Sequence, residues 1–364
     1  MTKLHELHDA GQSVWLDYIR RDMLDGGELR ALVDDGVRGL TSNPTIFQQA
    51  IEGSDTYDAQ IREVIATRPE ATTIEMFEEL AVQDIQRAAD ALLEVYTGSD
   101  GADGFVSLEV SPHLAHNTAA TIAEAKRLWA WVDRPNLMVK VPATTAGVPA
   151  IEELIAAALN INVTLLFSLD MYIEVANAYI RGLARAAEPD TIASVASFFV
   201  SRVDGKTDAA LEKVGSDEAL ALRGTIAVAN AKLAYRHYEQ IFGGPAFAEV
   251  ATRGARPQRL LWASTSTKNP EYSDVLYVET LVGPNTVNTM PPATIDAFRD
   301  HGVIDGAAIA WDLDTADDQM AQLGALGIDI DDVTRQLQEE GVSKFADSFD
   351  DLLATLANKI DALR

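Results

Sequence analysis

The sequence predicts an α/β fold, a single (β/α)8 TIM barrel with additional C-terminal helices. Three observations point there. Eight short runs rich in β-branched, aromatic and leucine residues alternate with longer segments of helical pattern. Several of these runs are apolar almost throughout, as parallel strands buried on both faces are. No low-complexity tract, 20–50-residue repeat or Pro/Ser-rich linker divides the 364 residues, and barrels of this length often form one domain.

In chain order the strand runs are Val14–Leu16, Val37–Leu40, Phe105–Leu108, Leu137–Val141, Val163–Phe167, Val195–Val200, Leu260–Trp262 and Val275–Leu281. Between them, helical character marks Thr73–Tyr96, Pro112–Trp131, Val148–Leu159, Ser168–Leu183 and Lys206–Ile241. Gly98–Gly104 and Gly283–Pro292 are dense in turn residues and are expected as loops. One domain, residues 1–364, is expected, with a helical extension over about 324–364 packing on the outside of the barrel.

Composition narrows the function. With 29 Lys+Arg against 56 Asp+Glu, the formal net charge is −27, which argues against nucleic acid or an anionic membrane as partner. An anionic substrate would therefore need a local positive exception. With no cysteine in the chain, a disulfide framework and a cysteine-based metal or nucleophile site are ruled out. The N-terminus lacks the apolar stretch of a signal peptide, and no window reaches about 18 uninterrupted apolar residues. A soluble, cytoplasmic protein is expected.

The active site of such a barrel lies at the C-terminal ends of its strands, and polar groups recur there. Asp17 follows the first run, Thr41-Ser-Asn-Pro44 the second, and Glu109 the third. Lys140 lies within Leu-Met-Val-Lys-Val-Pro, Asn162 and Thr164 on the fifth run, Ser201-Arg202 at the end of the sixth, and Ser264-Thr-Ser-Thr-Lys268 after the seventh. Burying a lone charge is very costly, so these residues need partners.

Lys140 carries the most information. It is one of only nine lysines, on an apolar strand with no adjacent acid. An ordinary lysine has a pKa of about 10.4 and is about 0.1% free amine near pH 7.4. Burial disfavours the ammonium form, and a neutral amine attacks a ketone to form a Schiff base. The competing reading is a structural ion pair of Lys140 with Glu109 or Asp17.

These residues sit in motifs that resemble those of transaldolases. Gly39-Leu-Thr-Ser-Asn-Pro-Thr-Ile-Phe47 looks like the first transaldolase signature, and Leu137-Met-Val-Lys-Val-Pro-Ala-Thr-Thr-Ala-Gly147 like the second, with Lys140 at the Schiff-base position. Asn162-Val-Thr-Leu-Leu-Phe-Ser168 and Ser197-Phe-Phe-Val-Ser-Arg202 match two further blocks, and the likeness runs from about Ser13 to Ser264.

The resemblance implies a class I aldolase barrel that transfers a dihydroxyacetone unit from a ketose phosphate to an aldose phosphate. Donors would be fructose 6-phosphate or sedoheptulose 7-phosphate, and acceptors erythrose 4-phosphate or glyceraldehyde 3-phosphate. No metal and no organic cofactor are implied, and the enzyme would work as a monomer or homodimer in the non-oxidative pentose phosphate pathway. Lys140 would attack the C2 carbonyl, and Glu109 would relay protons through a water held by Thr164. Asp17 would take the C4 hydroxyl proton. Asn43, Asn162 and Ser197 would hold the retained hydroxyls, while Phe199 keeps that side apolar. Arg202, Ser264 and a second base would bind the phosphate.

At the seventh strand the chain departs from the pattern. Many transaldolases read Ala-Ser-Phe-Arg there; this chain reads Ala263-Ser-Thr-Ser266, so Ser266 stands at the arginine's register. The nearest base, Lys268, is the expected substitute, offering a point charge rather than a planar fork.

Other signals carry less. His5-Glu-Leu-His8 is not the His-Glu-x-x-His zinc spacing, and His113 and His116 have no third ligand nearby. Aligning Gly98–Gly104 with a calcium loop puts Ser99 at position 1 and Val110 at position 12, which removes two main ligands. No Gly-x-x-x-x-Gly-Lys loop or Gly-x-Gly-x-x-Gly fingerprint occurs. Two rival functions stand beside transfer: a fructose 6-phosphate aldolase, and a catalytically silent barrel kept for binding. Those aldolases tend to carry glutamine and tyrosine where this chain has Glu109 and Phe199. A silent barrel would have lost Lys140, Asp17 or Glu109.

Overall fold

A computed structural model describes residues 2–52 and 54–364. Eight parallel strands close into a barrel: β1 Gln12–Asp17, β2 Val37–Thr41, β3 Phe105–Glu109, β4 Leu137–Pro142, β5 Ile161–Leu166, β6 Ser194–Phe199, β7 Arg259–Ala263 and β8 Thr286–Met290. Each strand pairs with its neighbour in sequence, and β8 closes the barrel on β1 through Gln12↔Thr286 to Leu16↔Met290. Residues of β4 and β5 are buried at every position, which is why those runs read as continuously apolar. The connections are helical, and Thr73–Gly98 starts with a capping box between Thr72 and Glu75.

The turn at Gly98–Gly104 does more than connect. It carries Asp103 under the N-terminal end of the barrel, where the carboxylate accepts from Ser13 Oγ at 2.7 Å, Trp15 Nε1 at 3.2 Å and Arg259 Nη2 at 2.9 Å. β1 and β7 are thereby tied to the connection entering β3, on the face opposite the site.

Gly147 begins the helix after β4, and a Cβ there would stand 2.0 Å from the carbonyl oxygen of Pro142. Only glycine lets the chain turn back so tightly behind Lys140.

Four expectations are corrected. Val275–Leu281 is not the eighth strand: it holds the helical turn Leu276–Glu279, with Tyr277, Val278, Leu281 and Val282 buried at helical spacing. β8 lies inside Gly283–Pro292, expected as a loop. Short apolar runs do not separate strand from helix, and β8 hides because Thr286, Asn288 and Thr289 break up its apolar pattern. Thr286 accepts from Gln12 Nε2 at 3.1 Å, and Asn288 Oδ1 accepts from Thr265 Oγ1 at 2.8 Å.

Lys206–Ile241 is not one helix but three, Ser201–Val214, Asp217–Ala221 and Ile226–Phe242, separated where Gly215 and Gly224 take positive φ. Arg202 consequently lies in the first turn of a helix rather than at a strand end. Lastly, the C-terminal region does not pack on the outside alone. Leu313–Ala325 lies against Ile226–Phe242 on the outer layer, but Ile330–Leu363 reaches the mouth of the barrel, packing on Pro44–Glu52, Ser201–Val214 and β5. No helix among the described residues is long and apolar enough to cross a membrane.

Candidate active site

A cavity of about 520 Å³ opens at the C-terminal ends of the strands. The expected residues Asp17, Asn43, Lys140, Thr164, Ser197, Phe199, Arg202, Ser264 and Lys268 all line it. Glu109 and Asn162 stand just behind the wall, each hydrogen-bonded to a residue that lines it.

Lys140 comes from β4, facing β3 through Glu109↔Lys140 and β5 through Lys140↔Asn162. Its Nζ donates to Glu109 Oε2 at 3.3 Å and to the carbonyl of Ser42 at 3.3 Å. Both charged side chains are almost fully buried, 7% and 6% exposed. Burial pushes the Glu109 carboxyl above the usual carboxylate range, with Lys140 opposing the rise and Asp17 adding to it. The ion pair named as the competing reading of Lys140 therefore exists. It sits on the cavity wall rather than in the sealed core, so pairing and reactivity are compatible.

The polar side chains around it are held in defined orientations. Thr41 Oγ1 donates to Asp17 Oδ1 at 2.8 Å. Asn43 caps the helix Pro44–Glu52, its Oδ1 accepting from Ile46 N at 3.0 Å, which leaves its amide NH2 for a ligand. Ser197 Oγ donates to Asn162 Oδ1 at 2.7 Å, and Asn162 Nδ2 donates to Ser107 Oγ at 3.0 Å. Thr164 Oγ1 is buried with no hydrogen-bond partner among the described residues. The next residue, Leu165, has φ 60° and breaks the β5–β6 register between Val163 and Leu166, a strained conformation of the kind that clusters at functional sites.

At the other side of the cavity lie Arg202, Ser264, Ser266 and Lys268. Arg202 forms no salt bridge among the described residues; its guanidinium sits 5.0 Å from the ring centre of Phe199 and 5.9 Å from that of Phe345. Burial pulls its pKa below the ordinary arginine value, opposed by Asp17 and Glu340. Ser264 adopts φ 57°, its Oγ 2.9 Å from Ser201 Oγ. Lys268 is exposed, and its Nζ donates to Ser266 Oγ at 2.7 Å. The base expected as the substitute thus bonds Ser266, the residue at the arginine's register. Charged residues lining the cavity are Lys140, Arg202 and Lys268 against Asp17, a positive exception on a chain of net charge −27.

Sequence reasoning missed Phe345, which reaches the cavity from Ile330–Leu363. The signal was present: Leu337, Gly341, Phe345, Phe349, Leu352 and Leu356 form a buried stripe. Helical spacing says that such a face is buried, not what it covers. It also missed Thr289, and it named Thr41 among the strand-end polar groups without giving it a role; both line the same cavity. The described residues hold no group of three or more His, Asp or Glu side chains placed to bind a metal.

Comparison with known proteins identifies the family. The transaldolase/fructose-6-phosphate aldolase family model matches residues 14–356. The chain belongs to this family. Among its relatives, a transaldolase of Mycolicibacterium smegmatis is 50% identical over 366 residues, covering 99% of this chain and 98% of that protein. A transaldolase of Frankia alni is 49% identical over 362 residues, covering 98% and 97%. One of Thermobifida fusca is 48% identical over 364 residues, covering 99% and 98%. Within this family's barrel, Lys140, Asp17 and Arg202 line one cavity, and Glu109 stands behind its wall.

Proposed function

We propose that this chain is a transaldolase working through a Lys140 Schiff base. The observation that carries the reading is a nearly buried lysine on the cavity wall, paired with Glu109 at 3.3 Å, with Arg202, which forms no salt bridge among the described residues, on another side of the same cavity.

The Lys140 amine adds to the donor's C2 carbonyl to give a carbinolamine. Glu109 delivers a proton to the departing hydroxyl, so that water leaves and a protonated imine forms. A carboxyl pushed upward by burial suits both donating and accepting that proton. The unpartnered Thr164 Oγ1 can hold the water that relays it. Asp17, oriented by Thr41, takes the C4 hydroxyl proton; the C3–C4 bond breaks and the aldose leaves. Its electron pair passes into the imine, leaving a neutral enamine on Lys140. The acceptor aldehyde is attacked by C3, Asp17 returns the proton to the new alkoxide, and water hydrolyses the imine. Water and protons taken in one half are returned in the other.

Asn43, Ser197 and the Asn162 behind it bind the retained hydroxyls. Arg202, Ser264 and Lys268 take the phosphate. Glu109 and Phe199 stand where the aldolases resembling this chain tend to carry glutamine and tyrosine, which favours transfer over release. The reading takes the enzyme as cytoplasmic, a monomer or homodimer, acting in the non-oxidative pentose phosphate pathway. Its test is glyceraldehyde 3-phosphate release from fructose 6-phosphate with and without erythrose 4-phosphate. Release that requires the acceptor is expected; comparable release without it would make the enzyme an aldolase.

A further inference from the structure

The helix Ile330–Leu363 is fastened to the mouth of the barrel at several points. Gln338 Nε2 donates to the carbonyl of Ala143 at 2.6 Å, just beyond β4. Ser348 Oγ accepts from Thr45 Oγ1 at 3.0 Å, and Lys206 pairs with Glu340. At Gly341 a Cβ would stand 2.9 Å from Leu165 Cδ2 and 3.8 Å from Arg202 Nη1. The helix therefore lies on the strained Leu165 and beside the guanidinium at close quarters. One turn further on is Phe345, 8% exposed and lining the cavity.

Two cations lie near the Phe345 ring. Its centre is 5.8 Å from Lys140 Nζ and 5.9 Å from the Arg202 guanidinium carbon, and Phe199 lies 5.0 Å from that same carbon. Aromatic faces attract a guanidinium without accepting its in-plane hydrogen bonds. Arg202 is thus held in place among the described residues while its five N–H donors stay available for an anion. A carboxylate in the same role would occupy those donors.

We propose that Phe345 is the positioning residue that sets the preference for phosphorylated donors, by holding Arg202 at a fixed reach from Lys140. A ketose bound at Lys140 through C2 is gripped at its far end only if it carries an anion there. This rests on the transaldolase reading and deepens it, by assigning the selectivity to a residue of the C-terminal helix.

The test compares fructose 6-phosphate with fructose as donors for the full-length enzyme and for Phe345→Leu and Phe345→Tyr, with thermal melting of each. Leucine keeps apolar bulk and loses the π face; tyrosine keeps the ring. The ratio of kcat/KM for the phosphorylated over the unphosphorylated donor is expected to fall about tenfold or more in F345L, chiefly through KM, and to return in F345Y. An unchanged ratio in F345L, with both donors affected equally or neither, overturns the proposal, as does a fall that F345Y shares in full. If the unsubstituted enzyme transfers nothing, it is the transaldolase reading that fails; if it transfers normally with F345L unaltered in ratio, only the role of Phe345 does.

Discussion

Lys140 Nζ and Glu109 Oε2 lie 3.3 Å apart on adjacent strands of the barrel, with both side chains almost wholly out of solvent. Breaking such a pair by truncation would strand a buried charge. In the mechanism proposed above, the pair serves as a proton path between the amine and a carboxyl whose pKa burial raises.

Glu109→Gln therefore leaves a hydrogen-bonding group of the same size and removes the proton transfer. We expect kcat to fall by about 10²–10⁴-fold, the usual worth of a positioned acid or base. The acid limb of kcat/KM in the unaltered enzyme is expected above the ordinary glutamate range of about 4.3, because burial favours the protonated carboxyl. Steady-state rates over pH 4–9 check both points; an acid limb unchanged in E109Q would assign it to another group.

Lys268 is exposed and bonded to Ser266, so its charge is screened and the phosphate contact proposed for it would be modest. Lys268→Ala is expected to raise KM for fructose 6-phosphate by roughly three- to tenfold, and more than for fructose. Ser266→Arg places a planar fork at that register and is expected to lower KM for the phosphorylated donor. Equal effects of K268A on both donors would remove Lys268 from the phosphate site.

A pH-dependent stability term sits beside the site. Asp204 accepts from Ala227 N at 2.7 Å and from Tyr277 Oη at 2.7 Å, fastening the helix after β6 to the connection that follows β7. Burial pushes its pKa up to about 6. The folded state thus binds a proton that the unfolded chain has released, so this group's contribution is full below about pH 4 and is lost as pH rises through 6. Relative to the unaltered enzyme, Asp204→Asn is expected to gain about 2 kcal/mol in unfolding free energy between pH 4 and pH 7. Urea unfolding at the two pH values reads it; a pH-independent difference would contradict the assignment.

Much of this was legible in the sequence, for physical reasons. β4 and β5 are buried at every position, so their residues had to be apolar, and the exceptions Lys140, Asn162 and Thr164 stood out as chemistry. β8 was not legible, because the buried polar residues Thr286 and Asn288 interrupt its apolar run, and their bonds to Gln12 and Thr265 exist only in the folded barrel. Phe345 was read only as part of a helical extension. Which element a buried stripe covers is a tertiary fact, and Gly341, where the helix approaches Leu165 and Arg202, was the one local hint of close contact.

The central claim is that Lys140 forms the covalent intermediate, and borohydride reduction with fructose 6-phosphate tests it most directly. Peptide mapping is expected to place a reduced dihydroxyacetone or hexose phosphate adduct on Lys140, and Lys140→Met is expected to give none. An adduct on Lys126 or Lys268, or no adduct on an enzyme that turns over, would contradict the account.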